Sequence, residues 1–120
     1  MRRPTHLLAL ALLLVMAACT SSEDAFPIDV RSSDDTCEVA PVTAPGGTLA
    51  FKVTNDGSAE TEFYLYAANG TEIISEVEDI GPGLSRTMTL KADPGSYITA
   101  CKPGMVGDGI RATFTVTDPG

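Results

Sequence analysis

The chain has 120 residues and a formal net charge of −8 at pH 7, from 16 acidic and eight basic side chains. That length is enough for one small domain, and the acidity excludes nucleic-acid binding through phosphate neutralisation. The one histidine is His6, so histidine-based catalysis and histidine metal sites are excluded from everything after the N-terminal segment.

The N-terminal segment predicts an export signal. A basic pair at positions 2 and 3 precedes an apolar run over 7–16, which is too short to cross a membrane as a helix. The small residues directly before Cys19 resemble a bacterial lipobox, which implies that Cys19 becomes the lipid-bearing first residue. An ordinary signal peptide cut at a nearby alanine is the alternative. We expect a signal over 1–18 and a polar tether over 19–26.

The remainder, 27–118, is expected to be one folded domain made of short strands between glycine- and proline-rich turns. Leu49, Phe51 and Val53 alternate with polar residues, as in a half-buried strand. Seven or eight such strands imply an all-β antiparallel sandwich. The expected strands cover residues 28–30, 36–39, 49–54, 61–67, 73–77, 84–90, 97–101 and 110–117.

Two local details follow from this pattern. Asn69-Gly70 predicts a type I′ hairpin turn, because both central positions of that turn need positive φ. Leu84 is expected on the apolar face of its strand together with Met88 and Leu90.

A loop with several chemically active side chains follows the strand at 97–101. Cys101 is followed by the turn Pro103-Gly104, and Met105 and Asp108 lie in the same loop. A thiol, a thioether and a carboxylate are therefore expected at one end of a sheet, where loops on a rigid scaffold carry function. That location suits either a metal site or a disulfide anchor.

The order of these pieces resembles a cupredoxin. The stretch 41–47 and its following strand match the start of that fold, and Tyr97-Ile-Thr-Ala-Cys101 matches the residues before the cupredoxin copper loop. Glu62 stands where the first copper histidine would be, and Met105 stands near the second. The resemblance implies a Greek-key β-sandwich, but with both histidines missing it does not imply blue-copper electron transfer.

A closer resemblance is to the cupredoxin-like domain of the EfeO family, exported proteins of bacterial iron-uptake systems, without their C-terminal helical domain. It implies that the bound species is an iron or copper ion. It also implies a partner such as an iron permease or another uptake component. The matching stretches are 37–39, 61–66, 76–78, 80–86 and 100–111.

The strongest candidate ligands each have a plain structural alternative. Cys37 and Cys101 are either two thiolates, suited to copper(I) or iron, or one disulfide in an oxidising compartment. Glu62 is either an oxygen ligand, which favours iron, or a solvated strand carboxylate. We expect the two cysteines to be close in space and Glu62 to face the same region.

Four further side chains complete the candidate metal site. Glu76 and Glu78 form an acidic cluster with Asp79 that is either a ligand group or a solvated loop. Met105 is either a soft ligand or a loop hydrophobe, and Asp108 is either a ligand or a turn residue.

These expectations combine into an exported, membrane-anchored, cupredoxin-like metal-binding lipoprotein of the cell envelope, linked to iron uptake. The alternative is a metal-free, disulfide-stapled structural or partner-binding module of the same fold. An enzyme is not expected, because no general base, nucleophile or cofactor motif is present.

The first prediction concerns the anchor. If Cys19 carries the lipid, Cys19→Ser should move the protein from the membrane fraction to the soluble fraction, because the acyl chains supply the membrane affinity. Fractionation of cells expressing each form measures this. A variant that fractionates like the parent would refute lipidation at Cys19.

Overall fold

The computed structural model describes residues 24–120, so the expected signal, Cys19 and most of the tether lie outside the described part. Within it, nine strands and one 3₁₀ turn, Pro103–Met105, make up the fold. No helix in this part is long and apolar enough to span a membrane. The strands are β1 Phe26–Ser32, β2 Cys37–Ala40, β3 Thr43–Pro45, β4 Gly47–Asn55, β5 Thr61–Ala67, β6 Ile73–Ile80, β7 Ser85–Ala92, β8 Gly95–Cys101 and β9 Ile110–Thr117.

The strands form two sheets packed as a sandwich, which confirms the all-β cupredoxin-like fold class. One sheet has four strands in the order β2-β1-β4-β7, and the other has five in the order β3-β9-β8-β5-β6. The pairing is mixed and not purely antiparallel as expected. β1 runs parallel to β4, and β3 runs parallel to β9 at the edge of the second sheet.

The core lies between the sheets and follows the period of two along each strand. Leu49, Phe51 and Val53 of β4 are fully buried, as their alternation predicts. The ring of Phe51 lies 5.4 Å from that of Phe63 and 5.3 Å from that of Phe114, between ring centroids. Burying each of these large side chains contributes about 1.5–3 kcal/mol, so this aromatic contact between the sheets is a main source of stability.

One strand was missing from the sequence prediction. β3 has three residues, lies between Pro41 and Gly46, and pairs with β9 through Thr43 and Thr115. The composition of this segment is typical of a turn, so the sequence did not predict a strand here. Ala44 is nevertheless buried in the core. Pairing with β9 therefore overrides the local preference for a turn.

The expectation for Leu84 was wrong, because its side chain is 61% exposed. β7 begins only at Ser85, so Leu84 belongs to the preceding turn and lies beyond the core. Met88 is buried and Leu90 half-buried, so the rest of the expected apolar face is confirmed.

The β5–β6 hairpin is confirmed, but its predicted turn type is wrong. Gly70 has φ 73°, whereas Asn69 is not among the residues with positive φ that a type I′ turn requires. The connection spans residues 68–72, and the Asn69 side-chain oxygen accepts hydrogen bonds from the backbone N–H groups of Thr71 and Glu72. This side-chain bonding replaces the tight two-residue turn.

A disulfide joins the two sheets at one end of the sandwich. Cys37 begins β2 and Cys101 ends β8, and their Cα atoms lie 5.6 Å apart across 64 residues of sequence. The expected closeness of the two cysteines is therefore confirmed. Of the two alternatives, the structure contains the disulfide. We call this end of the sandwich the disulfide end.

The second prediction follows from this cross-link. Replacing both cysteines by alanine should lower the free energy of unfolding by about 2–4 kcal/mol, because the long closed loop restricts the unfolded chain. Urea unfolding of the parent and the double variant measures the difference, with the reduced parent as control. Equal midpoints for the parent and the variant would contradict the prediction.

Candidate functional site

β5 places two different sets of side chains on the two faces of the five-stranded sheet. Phe63 and Leu65 point into the core, whereas Glu62, Tyr64 and Tyr66 point to the outer face. Although they lie on the outer face, the two tyrosines are only 7% and 5% exposed. Their rings stack at 5.5 Å between centroids with 9° between planes. The outer face therefore carries a small aromatic cluster of its own.

Two cations cover this tyrosine stack. The Lys102 Nζ lies 4.1 Å from the ring centroid of Tyr64, and the Arg111 guanidinium lies 4.6 Å from that of Tyr66. Arg111 also donates hydrogen bonds to the backbone carbonyls of Gly70 and Asp108, both at 2.7 Å. The turn after β5 is thereby held over the outer face, and cation–π contacts keep the rings in place.

Carboxylates from two strands surround the hydroxyl of Tyr64. The hydroxyl donates to Glu62 Oε2 at 2.7 Å and lies 3.3 Å from Glu78 Oε1. Glu76 is the direct cross-strand neighbour of Tyr64 on β6. Because a phenol has a single proton, the shorter contact to Glu62 is the stronger one. We call Glu62, Tyr64, Glu76 and Glu78 the carboxylate–tyrosine cluster.

A β-bulge explains why Glu78 belongs to this cluster. Thr61 pairs with Ile80 and Phe63 pairs with Val77, so β6 contains one residue more than β5 over this stretch. Asp79 takes up the extra residue with φ 55°. The bulge lets Glu78 face outward while Ile80 still enters the core.

The pKa of the Tyr64 hydroxyl is raised well above its usual value. The largest cause is its hydrogen bond to the Glu62 carboxylate, followed by burial and by the negative charges of Glu62 and Glu76. All of these favour the protonated phenol. In the metal-free protein Tyr64 is therefore a neutral donor between carboxylates.

The expectation that Glu62 faces the disulfide was wrong. Cys101 pairs with Phe63 on the neighbouring strand, and both side chains point into the core. Glu62 is adjacent in sequence to Phe63, so the alternation of β5 puts its side chain on the opposite face. The disulfide and the carboxylate–tyrosine cluster lie on opposite sides of the same sheet.

The remaining candidates lie in the loop after β8. Met105 is half-buried in the 3₁₀ turn, with its N–H bonded to the Lys102 carbonyl, and the Asp108 side chain is exposed. Gly109 is required at φ 80°, because a Cβ there would lie 2.7 Å from the Cys101 carbonyl oxygen. The loop is held beside β5, because the Lys102 N–H donates to the Glu62 carbonyl at 2.8 Å and the Gly104 N–H donates to the Glu60 carbonyl at 2.7 Å.

The carboxylates by themselves do not form a closed metal site. In the described part of the chain, no three carboxylate, thiol or imidazole groups are arranged to hold a metal ion. The carboxylates meet instead at the phenol of Tyr64. A metal ion at this place would therefore use the phenol oxygen or draw the carboxylates together.

The sequence interpretation missed Tyr64 as a site residue. The available signal was its position two residues after Glu62, since strand residues two apart share a face. The Arg86 guanidinium donates to the backbone carbonyl of Glu78 at 2.8 Å.

A family comparison agrees with this architecture: the family described as "Cupredoxin-like domain" matches residues 6–116. The chain belongs to the cupredoxin-like domain family.

Among curated proteins, this cupredoxin-like chain is similar to the iron uptake system component EfeO. It is 30% identical to that of Yersinia pestis over 100 residues, which cover 83% of this chain and 26% of the relative. It is 29% identical to that of Escherichia coli K12 with the same coverage. The chain thus spans about a quarter of the length of these relatives.

Solved structures share the fold. Auracyanin from Roseiflexus castenholzii superposes with a TM-score of 0.60 at 21% identity, covering 79% of this chain and 99% of that one. A multicopper oxidase gives a TM-score of 0.53 at 19% identity, covering 78% of this chain and 42% of that one. At these identities the likeness shows the fold alone.

The donor set of this cupredoxin-like domain does not fit a blue-copper centre. Such a centre needs two imidazoles and a thiolate. Residues 24–120 contain no histidine, and the sulfur of Cys101 is bonded to Cys37. The common cupredoxin copper site is therefore not available in this chain.

The third prediction follows from that donor set. Adding copper(II) to the purified protein should produce no intense visible thiolate-to-copper band, because no thiolate and imidazole pair is present. Absorption spectra before and after copper addition measure this, and the same titration of the reduced protein serves as control. A blue-copper spectrum from the oxidised protein would overturn the assignment.

Proposed function

We propose that this chain is an exported, lipid-anchored protein that binds iron outside the cytoplasm and delivers it to an EfeO-type uptake system. Iron is the cargo in this role. The observation that carries the proposal is the convergence of Glu62 and Glu78 on the phenol of Tyr64, with Glu76 beside them.

The chemistry of this cluster favours iron over copper. Carboxylate and phenol oxygens are hard donors, which prefer hard ions such as ferric iron. The soft donors that would favour copper(I) are the two cysteines, which form a disulfide, and Met105, which lies in the loop after β8 and not on the two strands that carry the cluster. Copper therefore remains the second choice of cargo.

The cluster has the charge to attract a cation. The carboxylates of Glu62, Glu76 and Glu78 lie close to one phenol, and each would attract a bound metal ion. If the Tyr64 oxygen coordinated ferric iron, the phenol proton would be released to solvent, so iron binding would weaken as pH falls. Tyr64 would then act as a phenolate ligand.

The relatives support the biological setting. The EfeO proteins to which the chain is similar are named as iron uptake system components and not as enzymes. A binding role with an iron permease or another uptake component as partner follows by analogy. The apolar run and Cys19 would place the protein at the outer side of a membrane through a lipid anchor.

The second candidate function is a metal-free, disulfide-stapled binding module. It is favoured by two observations: the disulfide is formed, and no three carboxylate, thiol or imidazole groups in residues 24–120 are arranged to hold an ion. In that case the carboxylate–tyrosine cluster would serve the stability of the outer face. The following experiment separates the two functions.

The fourth prediction is that Glu62→Gln weakens ferric iron binding by about tenfold or more, or about 1.4 kcal/mol, since the charge is lost while the shape is kept. Calorimetric titration of the oxidised protein with a ferric chelate measures binding. Tyr64→Phe should remove the visible phenolate-to-iron band. The urea midpoint of the metal-free Glu62→Gln protein should change little.

Glu72→Gln is the matched control, because Glu72 is exposed and its hydrogen bonds are made by its backbone groups and not by its carboxylate. It removes the same charge from the neighbouring turn and should leave binding unchanged. If the parent binds no iron, or if Glu62→Gln binds as well as the parent, the disulfide-stapled module is the better account.

A further inference from the structure

β6 is a long strand with a neighbour on one side only. It ends the five-stranded sheet next to β5, and within residues 24–120 no strand pairs with its other side. Of the other three edge strands, β2 and β3 have only four and three residues, whereas β7 has eight but includes the basic residues Arg86 and Lys91. β6 has eight residues, and its outward N–H and C=O groups are a ready template for an added strand.

The second half of this edge is already covered. The Arg86 guanidinium of β7 donates to the backbone carbonyl of Glu78 at 2.8 Å. One carbonyl on β6 therefore already accepts a hydrogen bond from a cationic side chain. The first half, from Ile73 to Glu76, carries no such cover in the described structure.

The uncovered half also exposes apolar surface. Ile73 is 51% exposed and Ile74 is 40% exposed, so two adjacent isoleucines are accessible to a partner at this edge. Ile74 lies at a register shift between β5 and β6, so it is not one of the residues paired with β5. Open backbone and exposed isoleucines thus occur together on one short segment.

The charges around this segment select the kind of partner. Glu72, Glu76, Glu78 and Asp79 lie on or next to β6, and the segment 72–80 contains no basic residue. A second copy of β6 would place like charges opposite one another, which is destabilising across paired strands. A strand with lysine or arginine at alternate positions would place opposite charges there instead.

We propose that the half of β6 from Ile73 to Glu76 is a strand-addition site for an extended basic segment of a partner protein. Backbone hydrogen bonds supply the pairing, and the isoleucines provide apolar contact. The carboxylates set the choice of sequence. This site is defined by the free edge and does not depend on iron binding.

The fifth prediction uses a short acetylated peptide of alternating lysine and valine as the probe, with metal-free protein in a chelating buffer. Under saturating peptide, amide hydrogen exchange in residues 73–77 should slow by about tenfold, or about 1.4 kcal/mol. A peptide of alternating glutamate and valine should give no protection. High salt should weaken binding of the basic peptide, because the contact is partly ionic.

Two variants locate the contact. Ile74→Lys and, separately, Ile73→Lys add a like charge to the edge, and each should weaken peptide binding by about tenfold. Val42→Lys is the control, because Val42 is similarly exposed, at 54%, but lies between β2 and β3. The amide NMR spectrum of each variant checks that the variant is folded.

Several outcomes would overturn the proposal. Protection of β7 or of the loop after β8 would show that the peptide binds elsewhere by charge alone. If the acidic peptide bound as well as the basic one, or if the basic peptide did not bind, the proposed site would be contradicted. A dimer of the protein alone, abolished by Ile74→Lys, would show that a second copy occupies the edge.

Discussion

Burial of β5 on both of its faces is the constraint on which the rest of the structure depends. Its odd-numbered residues from Phe63 to Leu65 fill the core, while Tyr64 and Tyr66 cover the outer face. Both faces are buried, one by the opposite sheet and the other by Lys102, Arg111 and the turn after β5. A register slip of one residue would exchange these faces and bury Glu62, at a cost no neighbouring contact offsets.

The disulfide and the carboxylate–tyrosine cluster separate two roles, stabilising the sandwich and providing ligands for an ion. A blue-copper protein combines these roles at one end of the fold. Cys101 is joined to Cys37 and buried in the core, so it holds the two sheets together. The oxygen donors lie on the other side of the sheet, around Tyr64. In this protein the thiol position serves stability, and any ion-binding chemistry falls to oxygen ligands.

The outer face balances opposite charges over a short distance. Lys102 lies over the ring of Tyr64, whose hydroxyl is bonded to Glu62. The cation stabilises the electron-rich ring face, and the carboxylate holds the phenol proton, so the tyrosine is fixed from two directions. Farther along β6 no basic side chain is present, and the carboxylates there leave a negative edge next to exposed isoleucines.

The sequence alone determined the fold class and most of the strands, because alternation such as that of Leu49, Phe51 and Val53 is a local property of the chain. It also determined that residues 24–120 contain no imidazole. The closeness of Cys37 and Cys101 in space was predicted from the resemblance to cupredoxin-like domains. Only the tertiary structure decided that the two cysteines are a disulfide and that Glu62 lies on the opposite face from them. The short strand β3 and the bulge at Asp79 also depend on partners distant in sequence. A single strand's pattern gives the relative sides of its own residues, whereas register between strands is set by packing of the whole sandwich.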